Sequence, residues 1–458
     1  MEKRGEEILN NDNKTEKNQQ FTKMTESNVS RLLVQLSIPA ILSMLITTIY
    51  NVADTAFVGT LGTSQSGATG IVFSYMTIIQ AIAFLCGQGS GSLMSRALGK
   101  KETRLAMEYT STGFFLIFGM GLVLELLTFL FMDPLLRLLG STETILPYAR
   151  TYITFIAIGA PFYASSLAMN NLLRYEGKAK LGTVGMMAGA LLNIGLDPLL
   201  MMVFKMGIAG AGLATAFSQI VSFCILLYMF LSGKTQTRIS IKYWAHESSM
   251  VWDILATGSP SLIRQGLGGV SGMLLNRCAA VYGDAAVAAF SCVSRISFFA
   301  LSIAIGIGQG FQPISSFNYG ANKKDRVRKA FWIALTGEEI VIIVLSIPMF
   351  VFAPQLIRVL RDDVEVIEIG TRALRLLSAC QLCMPLTMMV EMGFQSIGMK
   401  VEAIIGSSLR SGLLLIPSLL ILSETRGLAG IQEAQPVSFV LSFVVAIFLC
   451  RIYMKKMR

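Results

Sequence analysis

The sequence predicts an all-α integral membrane protein: twelve transmembrane helices in two pseudo-symmetric six-helix bundles. Three observations support that reading. The 458 residues are 53% hydrophobic and only 14% charged, too little charge to cover a water-soluble surface of this size. Apolar runs of bilayer-spanning length recur along the whole chain. The second half also repeats the first at an offset of 221 residues.

The opening segment stands apart. Residues 1–31 begin MEKRGEEILNNDNKTEKNQQFTKMTESNVS, polar and mixed in charge with no apolar core. They do not form a signal peptide and are expected to be a disordered cytoplasmic tail. A first lobe follows over 32–231, with spans at 33–58, 69–95, 107–131, 147–172, 181–203 and 208–231. A polar cytoplasmic linker, 232–252, leads to a second lobe over 253–450. Its spans are 253–281, 288–316, 328–351, 368–395, 402–422 and 428–450, before a basic cytoplasmic tail at 451–458.

Charge supports the count. One set of connectors holds Arg96, Lys100, Lys101 and Arg104; Arg174, Lys178 and Lys180; Lys234, Arg238 and Lys242; Lys323, Lys324, Arg326, Arg328 and Lys329; and Lys400, sixteen cations in all. The alternate set holds only Arg137, Lys205, Arg358, Arg361 and Arg426. The positive-inside rule therefore puts the first set and both termini in the cytoplasm. The net charge of +10 reads as membrane topology and not as nucleic-acid binding.

The repeat is visible residue by residue. Ser37-Ile38-Pro39 matches Gly258-Ser259-Pro260, and Gly87-Gln88-Gly89 falls on Gly308-Gln309-Gly310. Ser95 falls on Ser316, Gly99 on Gly320 and Gly177 on Gly398. GIAGAGLATAFSQIVSF and GLAGIQEAQPVSFVLSF correspond at an offset of 220. Six helices separate each pair, an even number, so the halves are parallel repeats about an axis along the membrane normal. Pro39, Pro260, Pro385 and Pro417 remove helical hydrogen bonds and mark kinks or hinges. Gly185-x-x-x-Gly189 and the run Gly266 to Gly272 are expected to let helices approach closely.

Several function classes are excluded. The single histidine, His246, lies in a connector, so no histidine metal cluster exists in the membrane. There is no G-x-x-x-x-G-K-[ST] for ATP, and no nucleophile–base pair at membrane depth, so no enzyme is expected. Cys380-x-x-Cys383 has redox spacing, but mid-helix beside Met384-Pro385 it reads as packing.

What remains is a small set of polar residues in apolar spans. An aspartate at mid-helix costs about 3 kcal/mol on insertion scales, yet Asp54 and Asp197 both occupy the outer half of outward-running spans. Asn51 lies one turn before Asp54, and Asn193 one turn before Asp197, so each pair shares a helix face. Thr215 adds a hydroxyl at similar depth. Two carboxylates with amide and hydroxyl oxygens suit a small cation, Na⁺ on Asp54 and Asp197 or a proton. The alternative is that each aspartate caps a neighbouring helix end; Asp197-Pro198 could terminate one. On the tenth span, Glu391 sits among Met388, Met389 and Met392. These could form a substrate cavity for a cationic amphiphile, because thioethers repack around varied shapes, or a packing contact between helices.

SIPAILSMLITTIYNVADTAFVG, GQGSGSLMSRALGKKE, NNLLRYEGKAK, NIGLDPLLMM and GIAGAGLAT resemble multidrug and toxic compound extrusion (MATE) transporters. GFQSIGMK and GLAGIQEAQP resemble the bacterial Mep-type branch. The resemblance covers residues 33–450. It implies a monomeric, multi-pass protein of the bacterial inner membrane that exports small cationic or amphipathic drugs and dyes by rocking of its two lobes. It implies no bound cofactor, only a coupling ion, Na⁺ or H⁺. By that resemblance Asp54, Asn193, Asp197, Thr215 and Asn170 form the cation-coupling network and Pro39 is the hinge. Topology puts Asn170 near the cytoplasmic end of its span. Family members with a second acidic site carry a glutamate on the seventh span; Gly266-Leu267-Gly268-Gly269 offers no acid there. The second transport reading is a lipid-linked oligosaccharide flippase, which needs basic side chains for pyrophosphate; Arg264, Arg295 and Arg410 are the candidates.

Overall fold

The computed structural model describes residues 18–245 and 247–458, with the side chains at 48, 50–53, 55, 56 and 63 outside that description. Residues 1–17 of the expected tail, His246 and the Asn51 side chain thus lie outside the described residues. Among those described there is no strand.

The first half comprises α1 (18–26), α2 (Val29–Gly59), α3 (Thr63–Gly99), α4 (Thr103–Leu130), α5 (Met132–Leu138), α6 (Leu146–Tyr175), α7 (Ala179–Pro198, continued by a π turn, Leu199–Val203) and α8 (Ile208–Leu231). The second comprises α9 (Ser248–Ala280), α10 (Asp284–Gly320), α11 (Lys324–Val351), α12 (Ala353–Leu360), α13 (Val364–Cys380), α14 (Met384–Ile397), α15 (Lys400–Ser408, with a π turn, Leu409–Leu413) and α16 (Leu415–Lys456). All twelve expected spans are helical. The tenth is divided into α13 and α14, with Pro385 in the first turn of α14, where its missing N–H leaves no acceptor short of a bond. The eleventh and twelfth part at Gly427, whose φ of 60° with ψ of −135° is a combination that a side chain disfavours. Gly207 takes the matching φ of 56° before α8, so the repeat extends to the backbone. The short helices α5 and α12 fall 221 residues apart and were not apparent from the apolar runs.

Ten stretches of the described residues are long and apolar enough to cross a membrane by length and composition. They become twelve when the Lys400–Lys456 stretch is divided at Gly427 and α9 is added. Asp253, Arg264 and Arg277 lower the hydropathy of α9.

Between the halves, α2 packs on α10, and α3 packs on α9 and α10. Glycines make these contacts. A Cβ on Gly258 would collide with the Leu85 carbonyl, and one on Gly89 with the Ile254 carbonyl. Gly99 lies against the Phe317 carbonyl and Gly320 against that of Arg96, and Arg96 and Phe317 are themselves repeat partners. All these contacts lie toward the end bearing the basic connectors, the basic face. There the two halves share one core, with Leu32, Met94 and Tyr175 packed in the same cluster as Phe311, Phe394 and Tyr453. Toward the opposite face the cores are separate. Val58, Tyr75 and Met201 belong to the first half's cluster, and Phe290, Leu374 and Leu419 to the second's. The halves are joined at the basic face and apart beyond it.

Two expectations are corrected. Gly185 and Gly189 do pack closely, on Leu226 and on Ser218 and Ser222, but nothing lies within 4 Å of a Cβ at Gly266, Gly268, Gly269 or Gly272. That part of α9 lies beyond the contact with α3, where the halves diverge. The tail expected to be disordered to residue 31 is helical over 18–26, and α2 begins at Val29. Met24 is fully buried. The apolar surface that orders this polar segment belongs to the lobes and is invisible in the segment itself. The linker is likewise docked: the Thr237 backbone N–H and hydroxyl each donate to Glu176 at 2.7 Å. Burial pushes the Glu176 carboxyl above its ordinary range against those two bonds.

Candidate functional site

Four helices of the first half bring the acidic residues together. The Tyr152 hydroxyl on α6 donates to Asp54 Oδ2 on α2 at 3.0 Å. On α7, Asn193 Nδ2 stands 3.2 Å from Asp197 Oδ1, the pairing set by four-residue helical spacing. The same amide reaches Thr215 Oγ1 on α8, also at 3.2 Å. Asp197 is 0% exposed, Asn193 and Thr215 2% each. Asp54 is half-buried, and its helix, α2, packs directly on α7, which carries Asn193 and Asp197.

Among the described residues, three oxygens of this group have no hydrogen-bond partner: Asp54 Oδ1, Asp197 Oδ2 and Asn193 Oδ1. A buried unpaired acceptor costs about 1–3 kcal/mol, and more when charged. Local backbone adds to the set. Pro198 has no N–H, so the Ile194 carbonyl lacks its α-helical donor, and the chain passes into a π turn directly after it. The arrangement is rich in oxygen acceptors and poor in donors. Chemically it can accept a proton or a small hard cation. No group of three His, Cys, Asp or Glu able to hold a metal exists among the described residues, which leaves only a site completed by neutral oxygens.

The other candidate residues are placed as follows. Pro39 is buried inside α2, and its carbonyl accepts from Thr183 on α7 at 2.9 Å. Asn170 faces Gly182 on α7, eleven residues before Asn193 and so roughly 16 Å down that helix; the structure does not bring it to the acids. Glu391 is not a lone carboxylate. Arg264 of α9 donates to its Oε1 at 2.5 Å, with side chains 12% and 4% exposed. Met388, Met389 and Met392 are at most 2% exposed and packed in the cores, and Met392 abuts Gly308. They line no open cavity in this conformation. Tyr152 was missed from sequence. It is 98 residues from Asp54, and a tyrosine in an apolar span carries no signal of its own. The seven cysteines are free, Cys380 and Cys383 among them.

With this geometry, comparison with known proteins is informative. The MatE family profile matches residues 39–199 and again 260–419, one match in each repeat. The chain belongs to the MatE family. Among curated relatives, the multidrug export protein MepA of Staphylococcus aureus (strain N315) is 26% identical over 416 residues, covering 91% of this chain and 92% of its own. The protein of the same name from Staphylococcus saprophyticus is also 26% identical, over 422 residues. Among solved structures, the outward-facing conformation of a multidrug resistance MATE family transporter of the MOP superfamily superposes with a TM-score of 0.90. It is 24% identical and covers 95% of this chain and 98% of that one. A MATE protein in the bent conformation superposes with a TM-score of 0.89, at 24% identity and the same coverage. These likenesses place the twelve-helix fold within the family.

Proposed function

We propose that this MatE protein is a secondary active exporter in the bacterial cytoplasmic membrane. On this reading it expels small cationic or amphipathic compounds in exchange for inward Na⁺ or H⁺. The observation that supports it most is the acceptor-rich group Asp54, Asn193, Asp197 and Thr215, with three oxygens unpartnered among the described residues. With the basic connectors in the cytoplasm, the face where the halves part is the outer one. The site is then open to the ion when the cytoplasmic side is sealed. Binding of a cation cancels buried charge and supplies the missing partners. It thereby changes the balance between conformations of α2, which is hinged at Pro39, by as much as its affinity differs between them. When a neutral compound leaves, one net charge entering through about 100 mV releases about 2.3 kcal/mol, enough for a drug gradient of roughly fifty-fold; a monovalent cationic compound exchanged one for one moves no net charge and is driven by the ion's concentration gradient. The names of the staphylococcal relatives support the substrate class. The flippase reading is less well supported, because Arg264 is committed to Glu391 and is not free for a pyrophosphate.

Purified protein in vesicles, energised by a sodium gradient alone or a proton gradient alone, tests the proposal. Asp54→Asn and Asp197→Asn are expected to remove ion-driven dye transport at least tenfold while leaving the protein folded. Unchanged transport in both variants would overturn the site assignment.

A further inference from the structure

The described part of the N-terminal segment is a helix wedged between the two halves, and its contacts divide between them. Toward the first half, Gln20 Nε2 donates to the Glu176 carbonyl at 3.1 Å. Lys101 Nζ stands 4.7 Å above the Phe21 ring. A Cβ on Gly177 would lie 2.6 Å from Gln20 Nε2 and 2.8 Å from Met24 Sδ. Toward the second half, Phe21 packs on Phe317 of α10 with ring centroids 5.6 Å apart. Two of the final carbonyls of α1, and that of Ser27 just beyond it, accept hydrogen bonds from that side. Asn318 donates to the Met24 carbonyl at 3.0 Å, Lys323 to that of Thr25 at 3.2 Å, and Arg326 to that of Ser27 at 2.8 Å. Cationic donors at a helix C-terminus meet both its unpaired carbonyls and the negative end of its dipole. Such charge-assisted bonds are stronger than neutral ones. The helix is tied covalently to α2, so these bonds fasten a first-half element to the second half across the closed basic face.

We propose that α1 is a latch that holds the basic face shut and must leave Asn318, Lys323 and Arg326 before that face opens. The latch rests on the reading of this chain as a transporter that opens to either side in turn. Separating the connector after α6 from the connector after α10 stretches α1 between Glu176 and Arg326. One set of contacts then breaks. The set held by the second half is the one whose rupture lets α1 stay with α2. The latch therefore weights the equilibrium toward the state closed at the basic face, and anything that binds residues 18–26 in the released position speeds the opposite opening.

Two experiments on the full chain, with its seven native cysteines replaced, test this. Spin labels at Lys180→Cys and Lys329→Cys report the separation of the two halves at the basic face, with no ion gradient applied. Asn318→Ala with Arg326→Ala is expected to raise the ratio of long to short distances about tenfold, equivalent to about 1.4 kcal/mol. Gln20→Ala with Phe21→Ala, which spares α10 and α11, is expected to move it the same way. Conversely, joining Glu26→Cys to Lys323→Cys with a short bismaleimide is expected to stop transport that the unlinked protein performs. Those two side chains lie 3.9 Å apart and accessible. Unaltered distances in both released variants, or full transport by the linked protein, would overturn the latch. The distance readout uses no ion coupling, so loss of the Asp54 assignment would leave it standing.

Discussion

Two buried acidic sites, one in each half, are built in opposite ways. In the first, the groups that the described residues bring to Asp54 and Asp197 are neutral, a tyrosine, an asparagine and, through the asparagine, a threonine, and each acid keeps an oxygen without a partner among those residues. In the second, Glu391 is bound to Arg264, and the buried Arg410 acts on it as well. Counting 221 residues on from Asp54, Asn193 and Asp197 reaches Leu275, Leu414 and Ser418, so the acidic group has no counterpart in the repeat. One backbone plan thus carries an acid with no cationic partner among the described residues and an acid compensated by a fixed arginine. On the proposed reading the first arrangement is the one that couples to an ion gradient. Glu338 on α11, fully buried with both oxygens unpartnered, shows that the second half also carries a carboxylate outside its ion pair.

The sharpest way to break this contrast is to neutralise one acid in each half. Glu391→Gln strands the Arg264 charge, and breaking a buried pair in this way costs about 3–5 kcal/mol. Thermal unfolding in detergent should show a drop of many degrees, where Asp197→Asn should show almost none. A buried pair replaced on both sides is often neutral, so Arg264→Met with Glu391→Met should recover part of the loss, the remainder being the buried Arg410 left without the Glu391 charge. If the double variant melts as low as the single, the pair is not what stabilises that lobe. Gly258→Ala comes next. Its methyl meets the Leu85 backbone, which cannot turn aside, so overpacking of about 1–3 kcal/mol should fall on the contact between the halves. Increased labelling of cysteines placed along the basic face would register it. Smallest is Tyr152→Phe, which removes the hydroxyl that donates to Asp54, a bond worth about 1 kcal/mol. It should alter apparent ion affinity by less than tenfold in the vesicle assay with no change in folding.

Much of this was legible in the sequence for a specific reason. In a bilayer each helix must be apolar along its length, so the twelve spans, the basic connectors and the 221-residue repeat appear as local patterns. Asp54 and Asp197 were legible because a charge is conspicuous in such a run, and Asn193 because helical spacing sets it beside Asp197. What was not legible depends on distant partners. Arg264 lies 127 residues from Glu391, and nothing local to either reveals the other. The glycines of α9 looked like a packing stripe, yet Gly266 to Gly272 face open space while Gly258 makes the close contact. Spacing alone cannot tell which part of a helix meets a neighbour.

The amino-acid order by itself therefore determined the solvent, the number of helices, the duplication and the identity of the costly acids, all consequences of what lipid tolerates along one segment. Which acid is left without a partner, which is joined to an arginine, where the halves touch, and that a polar N-terminal stretch folds as a helix between them were decided only by the tertiary structure. Each of those depends on the surface that one segment presents to another, and that surface exists only once the chain is folded.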